Sequence, residues 1–223
     1  MSPIDGFILD KHISIGDVLG AYQKDSIMFT IAETLSNMNI ELLSLHKFPE
    51  IGEIIEDGAT LEENALIKAR TVHELTKLPA LADDTGLEVD ALEGAPGVFS
   101  ARYFGENASY SDNVNKLLKE MKNVPNKKRM AKFRTVMAFV GHKMELIAED
   151  YVKGIITNVT KGIDGFGYDP VFYVPEMNKT YAEMSIKEKN QISHRGKALV
   201  KMQKLLQERL PKIFHQMEDL PKT

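Results

Sequence analysis

"LPALADDTGLEVDALEGAPGVFSARYFG", residues 78–105, sets an apolar run, Leu78 to Ala82, directly against two adjacent carboxylates, Asp83 and Asp84. Adjacent carboxylates repel one another and resist burial, so a cation, a set of backbone N–H groups or plain solvent must compensate them. The step into Thr85-Gly86 reads as a strand giving way to a turn, because Asp and Gly favour turns and Asp can bond its own local backbone. Leu87, Val89 and Ala91 then alternate with polar neighbours, the period of a strand. A carboxylate at a strand's end is well placed to line a crevice, and Thr85-Gly86 adds a hydroxyl and an open backbone approach for an anionic ligand. The pair therefore reads either as a turn or as a site in which one carboxylate holds a metal and positions a water.

Outward from this stretch, helical and strand periods alternate. Asp25 precedes Ile27, Met28, Ile31, Leu35 and Met38 at helical spacing, and "IELLSL", residues 40–45, reads as a strand. "TLEENALIKARTVHELTKL" opens on Thr60 and places Leu66, Ala69, Val72 and Leu75 on one stripe. Ser111 to Met121 is amphipathic, and Ala131 to Val140 and Glu145 to Ile156 are β-rich runs flanking a hairpin at residues 141–144. "PVFYVP", residues 170–175, is a further strand. From Lys187 the chain is helical again, with Ala198, Leu199, Met202, Leu205 and Leu206 inward and Pro211 as the stop. The expectation is one domain over residues 19–211 around a mixed sheet, with an unplaced extension over 1–18 and a tail over 212–223.

Composition narrows the function. The chain has 223 residues, 43% hydrophobic and 27% charged, ordinary values for a soluble globular domain. A net charge of −4 argues against broad binding to nucleic acid or anionic membrane. No apolar run approaches the roughly 20 residues that span a bilayer. The first residues lack a basic segment followed by an apolar core, so no leader is expected. With no cysteine, thiolate catalysis and Cys-ligated zinc are excluded, and the cytoplasm is the expected location.

Three further constellations carry chemistry. Glu63 completes a Thr60-x-x-Glu63 capping box, yet a carboxylate in a helix's first turn can also face Mg²⁺, which takes one or two carboxylates plus phosphates and water. "GIDGFGYDPVF", residues 162–172, is either a glycine-rich hairpin whose Phe166 and Tyr168 cap the core, or a loop that stacks an aromatic face on a base. In "EKNQISHRGKAL", residues 188–199, Ser193 makes an N-cap, while His194 and Arg195 offer donors to a purine's carbonyl edge and Lys189 a point charge for phosphate. Lys127-Lys128-Arg129 reads as a solvated turn, and the remaining histidines show no metal-ligand pattern.

Together "TLEENALIKA", "ADDTGLEVDALEGAPGVFSARY", "FGYDPVF" and "EKNQISHRGKAL" resemble the inosine triphosphate pyrophosphatase family, in its order and at its spacing, from about Ile40 to Leu210. The resemblance implies an α/β fold with a mixed, elongated central sheet and flanking helices, two lobes around a nucleotide-binding cleft, and a homodimer. It implies cleavage of ITP, dITP or XTP between the α- and β-phosphates, to the monophosphate and pyrophosphate, with Mg²⁺. Glu63 and Asp84 would then hold the metal and Asp84 would accept the proton of the attacking water. Thr85, Phe166, Gly167, Tyr168, Asp169, Lys189, His194 and Arg195 would bind the substrate.

One departure stands out. Where the family has a Thr-x-Asn-x-x-Lys turn that cradles the triphosphate, "GAYQKDSI" puts Tyr22, Lys24 and Ile27 in the three positions. Lys24 and Ser26 at a helix start could still bind phosphate. The competing expectation is therefore a nucleotide-binding relative that has lost productive triphosphate placement, since misplacing a reacting group by about 1 Å can cost roughly a hundredfold in rate. A third reading is a Mg²⁺-dependent phosphohydrolase with another substrate.

Overall fold

The computed structural model of the protein describes residues 6–10, 41–141 and 143–218. Strands β1 (Gly6–Asp10) and β2 (Glu41–Ser44) precede helix α1 (Leu61–Thr76), then β3 (Ala80–Val89), β4 (Pro96–Gly97) and α2 (Tyr110–Glu120). The hairpin β5 (Met130–Gly141) and β6 (Met144–Ile156) follows, then β7 (Phe172–Val174), β8 (Lys179–Thr180), α3 (Ile186–Ile192) and α4 (His194–Glu218). The strands form one sheet in the order β2-β1-β3-β5-β6-β7-β8, with β4 added on β3. The α/β class holds, and every pairing among the described residues is antiparallel. Residues 22–27, the expected first helix and Lys24 lie outside the described residues. Within the extension expected over 1–18, β1 inserts between β2 and β3, pairing Phe7 with both Ser44 and Leu81.

The acidic pair is not at a turn. β3 runs unbroken through it, and all ten residues from Ala80 to Val89 pair with β5, Asp83 opposite Met137 and Asp84 opposite Val136. The local preference of Asp-Asp-Thr-Gly for a turn is overridden by a continuous ladder with a long β-branched and aromatic partner. The strand ends instead at Asp90–Leu92, a 3₁₀ turn that takes Ala91 out of the expected alternation.

α1 starts where Thr60 Oγ1 accepts the Glu63 N–H at 3.1 Å, half of the expected capping box. The Glu63 carboxylate goes to the N–H of Ala59 at 2.6 Å, one residue before the cap. The buried stripe is Leu61, Ala65, Ala69 and Val72, joined by Asn64 and Lys68. Ala69 and Val72 match the expected face, but Leu75, near the end of the helix, is 61% exposed. α4 begins as expected, with Ser193 Oγ accepting the Gly196 N–H at 2.9 Å. It continues past Pro211 to Glu218, since a proline removes one ladder bond without unmaking the turns on either side.

Arg129 is also not in a solvated turn. Its side chain is fully buried, with Nε donating to the Ile156 carbonyl at 2.7 Å and the terminal nitrogens to Met121 at 2.6 Å and Thr157 at 2.8 Å. A guanidinium can be buried when its fork is filled by carbonyls, and those of Met121 and Val124 end the helical segment after α2, where partial negative charge collects.

The core divides where the acidic pair sits. Ala82, Val136, Ala138 and Val140 pack with Leu61, Ala65 and Ala69 of α1 on one side. Leu87, Val89, Phe133 and Val152 pack with Val114, Leu117, Phe172 and Tyr181 on the other. The same two strands serve both clusters, and Asp83 to Gly86 form the waist between them.

Candidate active site

In a strand, successive side chains point to opposite faces. Asp84 therefore faces α1, and Asp83 and Thr85 face α4. Two observations leave one edge of β3 open at this waist. β1 pairs with β3 only up to Ala82 and β4 only from Leu87, so among the described residues no strand covers that edge of β3 from Asp83 to Gly86. The Leu87 and Val89 N–H groups point away from β5, to Ser100 Oγ and the Ala95 carbonyl. By the two-residue period, the N–H and C=O groups of Asp83 and Thr85 point to the same open edge. A ligand lying across this edge reaches both faces.

On the α1 face, Asp84 accepts from Lys68 Nζ at 3.0 Å and more distantly from Asn64 Nδ2 at 3.4 Å. Lys68, 3% exposed, also contacts Glu56 at 3.4 Å, so one ammonium serves two carboxylates. Burial pushes the Asp84 carboxyl up to about 6; the Lys68 ammonium opposes this, and the Glu56 and Asp83 carboxylates add to it. One lysine thus leaves the acidic group undercompensated. Gly86 is required beside it, because a Cβ there would lie 2.5 Å from the Gly97 carbonyl oxygen of β4.

Carboxylate oxygens are the ligand type that a hard divalent cation takes. Asp84 and Glu56 supply carboxylate oxygens to a common point already occupied by positive charge, and a second cation would relieve the raised proton affinity of Asp84. Among the described residues there is no group of three or more His, Cys, Asp or Glu able to hold a metal alone. Glu63, the metal ligand expected from the sequence, is held by Ala59 at the start of α1, one residue from Asn64.

On the α4 face, Arg195 Nε donates to Asp83 Oδ2 at 2.9 Å. Thr85 Oγ1 donates to the same oxygen at 3.2 Å and lies 2.7 Å from Thr135 Oγ1. Phe166, 43% exposed, stands beside them, its ring centroid 5.9 Å from Arg195 Cζ and 4.9 Å from Lys189 Nζ. Two cations beside one exposed aromatic ring are the group types that receive a flat, electron-rich ligand.

The glycine-rich loop presents this ring. Tyr168 is buried and donates to the Ser100 carbonyl at 3.0 Å, which matches its core-capping reading, and burial raises its proton affinity. Gly167 turns the chain with φ +58° between the exposed and the buried ring. Asp169, also buried, accepts the Phe166 N–H at 2.9 Å and the Lys189 ammonium. Lys189 is thereby tied to the aromatic side. His194 is a core group: its imidazole stacks on Phe133 at 5.0 Å and Tyr181 at 6.1 Å. Burial, with Arg195, Lys189 and Lys197 nearby, holds it neutral. Its Nδ1 and the Tyr181 hydroxyl are buried with no hydrogen-bond partner among the described residues.

The sequence thus brings Asp84, Thr85, Phe166, Asp169, Lys189 and Arg195 to one waist. Glu56 and Lys68 join this waist although sequence reasoning did not single them out, and Asp83, read there only as half of the acidic pair, holds Arg195. Lys68 and Asn64, polar at i and i+4 within an otherwise apolar stripe, were the available signal.

The chain is similar in sequence and fold to known proteins. A sequence profile of the Ham1 family matches residues 27–205. A protein of Geobacter sulfurreducens named dITP/XTP pyrophosphatase is 50% identical over 171 residues, 76% of this chain and 85% of that one. A protein of the same name from Vibrio cholerae is 45% identical over 181 residues, 80% of this chain and 90% of that one. A Ham1 protein structure from Coxiella burnetii superposes with a TM-score of 0.76 at 41% identity, over 83% of this chain and 95% of that one. With the profile spanning most of the chain and these identities behind it, the protein belongs to the Ham1 family.

Proposed function

We propose that the protein hydrolyses non-canonical purine nucleoside triphosphates, ITP, dITP and XTP, to the monophosphate and pyrophosphate with Mg²⁺. The observation that carries this is the pair Asp83-Asp84 at an uncovered strand edge, one carboxylate holding Arg195 beside the exposed Phe166 ring, the other held by the Lys68 ammonium. The relatives' name, dITP/XTP pyrophosphatase, supports dITP and XTP among these substrates.

The divalent ion, bound by Asp84 and Glu56 with Glu63 as a further carboxylate, would neutralise phosphate charge and polarise the scissile anhydride. Asp84 accepts the proton of the attacking water. Lys68 holds the two carboxylates together. Arg195 donates to the 6-oxo edge of the base and Phe166 stacks on its face; an adenine 6-amino group would present a donor to a donor. Thr85 lends its backbone N–H at the open edge. A cytosolic homodimer completes the proposal, and the absence of cysteine suits a reducing compartment.

Arg195→Ala should raise KM for ITP by roughly tenfold to a hundredfold and change kcat far less. Steady-state pyrophosphate release checks this, and an unchanged KM removes Arg195 from the base. A pH profile gives a second check. Only ionised Asp84 accepts a proton, so at limiting Mg²⁺ kcat/KM should rise with pH and level off above about 6. Saturating Mg²⁺ stabilises the carboxylate and should move that limb to lower pH; a limb insensitive to Mg²⁺ contradicts metal binding at Asp84.

A further inference from the structure

Asp83 has the same charge as Asp84 and the opposite direction. Its carboxylate is mostly buried, and both bonds it accepts at Oδ2 come from groups on the base side, Arg195 at 2.9 Å and Thr85 at 3.2 Å. Thr85 is itself braced by the fully buried Thr135 at 2.7 Å. These bonds form a chain from β5 through β3 to the first turn of α4, fixed at the strand end by ten residues of ladder pairing.

A free arginine side chain samples many rotamers, and ordering it on binding costs affinity. Holding Nε–H on one carboxylate oxygen fixes the guanidinium plane and with it the aim of the two terminal amino groups. The Phe166 ring bounds the other side of that plane at 5.9 Å. Asp83 and Asp84 are also consecutive, so the anchor of the base-selecting cation and the proton acceptor are separated by one rigid peptide unit.

We infer that Asp83 is the positioning residue for base selection: it aims Arg195 at the 6-oxo edge and takes no part in metal binding or proton transfer. This rests on the pyrophosphatase reading above. A purely structural role, pinning α4 to the sheet, would affect stability and all nucleotides alike. A positioning role acts through Arg195 alone.

The test is a double-mutant cycle with Asp83→Asn and Arg195→Ala, read on ITP and ATP. Asp83→Asn should raise KM for ITP about tenfold, leave kcat within about threefold and lower the preference for ITP over ATP. Added to Arg195→Ala it should change KM less than about twofold, because the group it positions is gone. A full additive effect on that background overturns the inference, as does a loss carried in kcat. Should Asp83→Asn fail to fold, Asp83→Glu, which keeps the charge but moves it by one methylene, replaces it in the same cycle with the same outcomes. Calorimetric binding of ITP with Ca²⁺ in place of Mg²⁺ runs the cycle without turnover. A wild type that binds ITP without cleaving it, with the cycle still coupled, rejects the activity and retains the positioning role.

Discussion

Asp84→Asn should lower ITP turnover on the order of a thousandfold or more while the protein stays folded. The change keeps the shape of the side chain and its acceptor oxygen for Lys68 Nζ, now 3.0 Å from the carboxylate. It removes the proposed proton acceptor and one of the carboxylates proposed to hold the divalent ion. Folding should tolerate it, because the native environment already disfavours the Asp84 charge. The carboxyl is raised to about 6 in the fold against an ordinary value of 3.8, so the neutral acid is the form the fold prefers. That contribution is fully present below about pH 4 and is lost as pH rises through about 6. The metal-free variant should therefore show a flatter thermal stability between pH 4 and 6 than the wild type. Turnover within tenfold of wild type would remove Asp84 from the mechanism.

The largest effect on stability is expected at Arg129. Arg129→Met keeps much of the side-chain length but orphans the carbonyls of Met121, Ile156 and Thr157, which the guanidinium now satisfies at 2.6 to 2.8 Å. Each buried carbonyl left without its donor costs about 1–3 kcal/mol, so the three together should cost several kcal/mol, which in a domain of this size lowers Tm by on the order of 10 °C. The residue joins the end of α2 to the strand edge at Ile156, next to the aromatic cluster under His194. Chemical denaturation measures the loss directly; a cost below about 1 kcal/mol would show that water replaces the guanidinium without penalty.

Much of this site was legible in the sequence, and the misses share a cause. Periodicity placed α1, α2, the β5–β6 hairpin and α4, because each carries its own amphipathic pattern. The four motifs brought Asp84, Thr85, Phe166, Lys189 and Arg195 together. The turn expected at Asp83-Asp84 failed because strand pairing is non-local: nothing within residues 78–90 announces that β5 will run opposite all of β3. Arg129 failed for the same reason, since its carbonyl partners lie up to 28 residues away. Tyr168 and Asp169 were assigned to the ligand from a shared motif, whereas their side chains are buried and brace the loop that presents Phe166. Glu56 and Lys68 carried no motif that spacing could flag, and the fold alone reveals that one ammonium bridges Glu56 and Asp84.

Pyrophosphate release from ITP, XTP, GTP and ATP, with Mg²⁺ and with excess EDTA, tests the central claim most directly. Metal-dependent release that strongly favours ITP and XTP over ATP is the predicted result. Inosine nucleotide bound without release would contradict the enzymatic reading and direct attention to Tyr22, Lys24 and Ile27, where the family's phosphate turn is replaced.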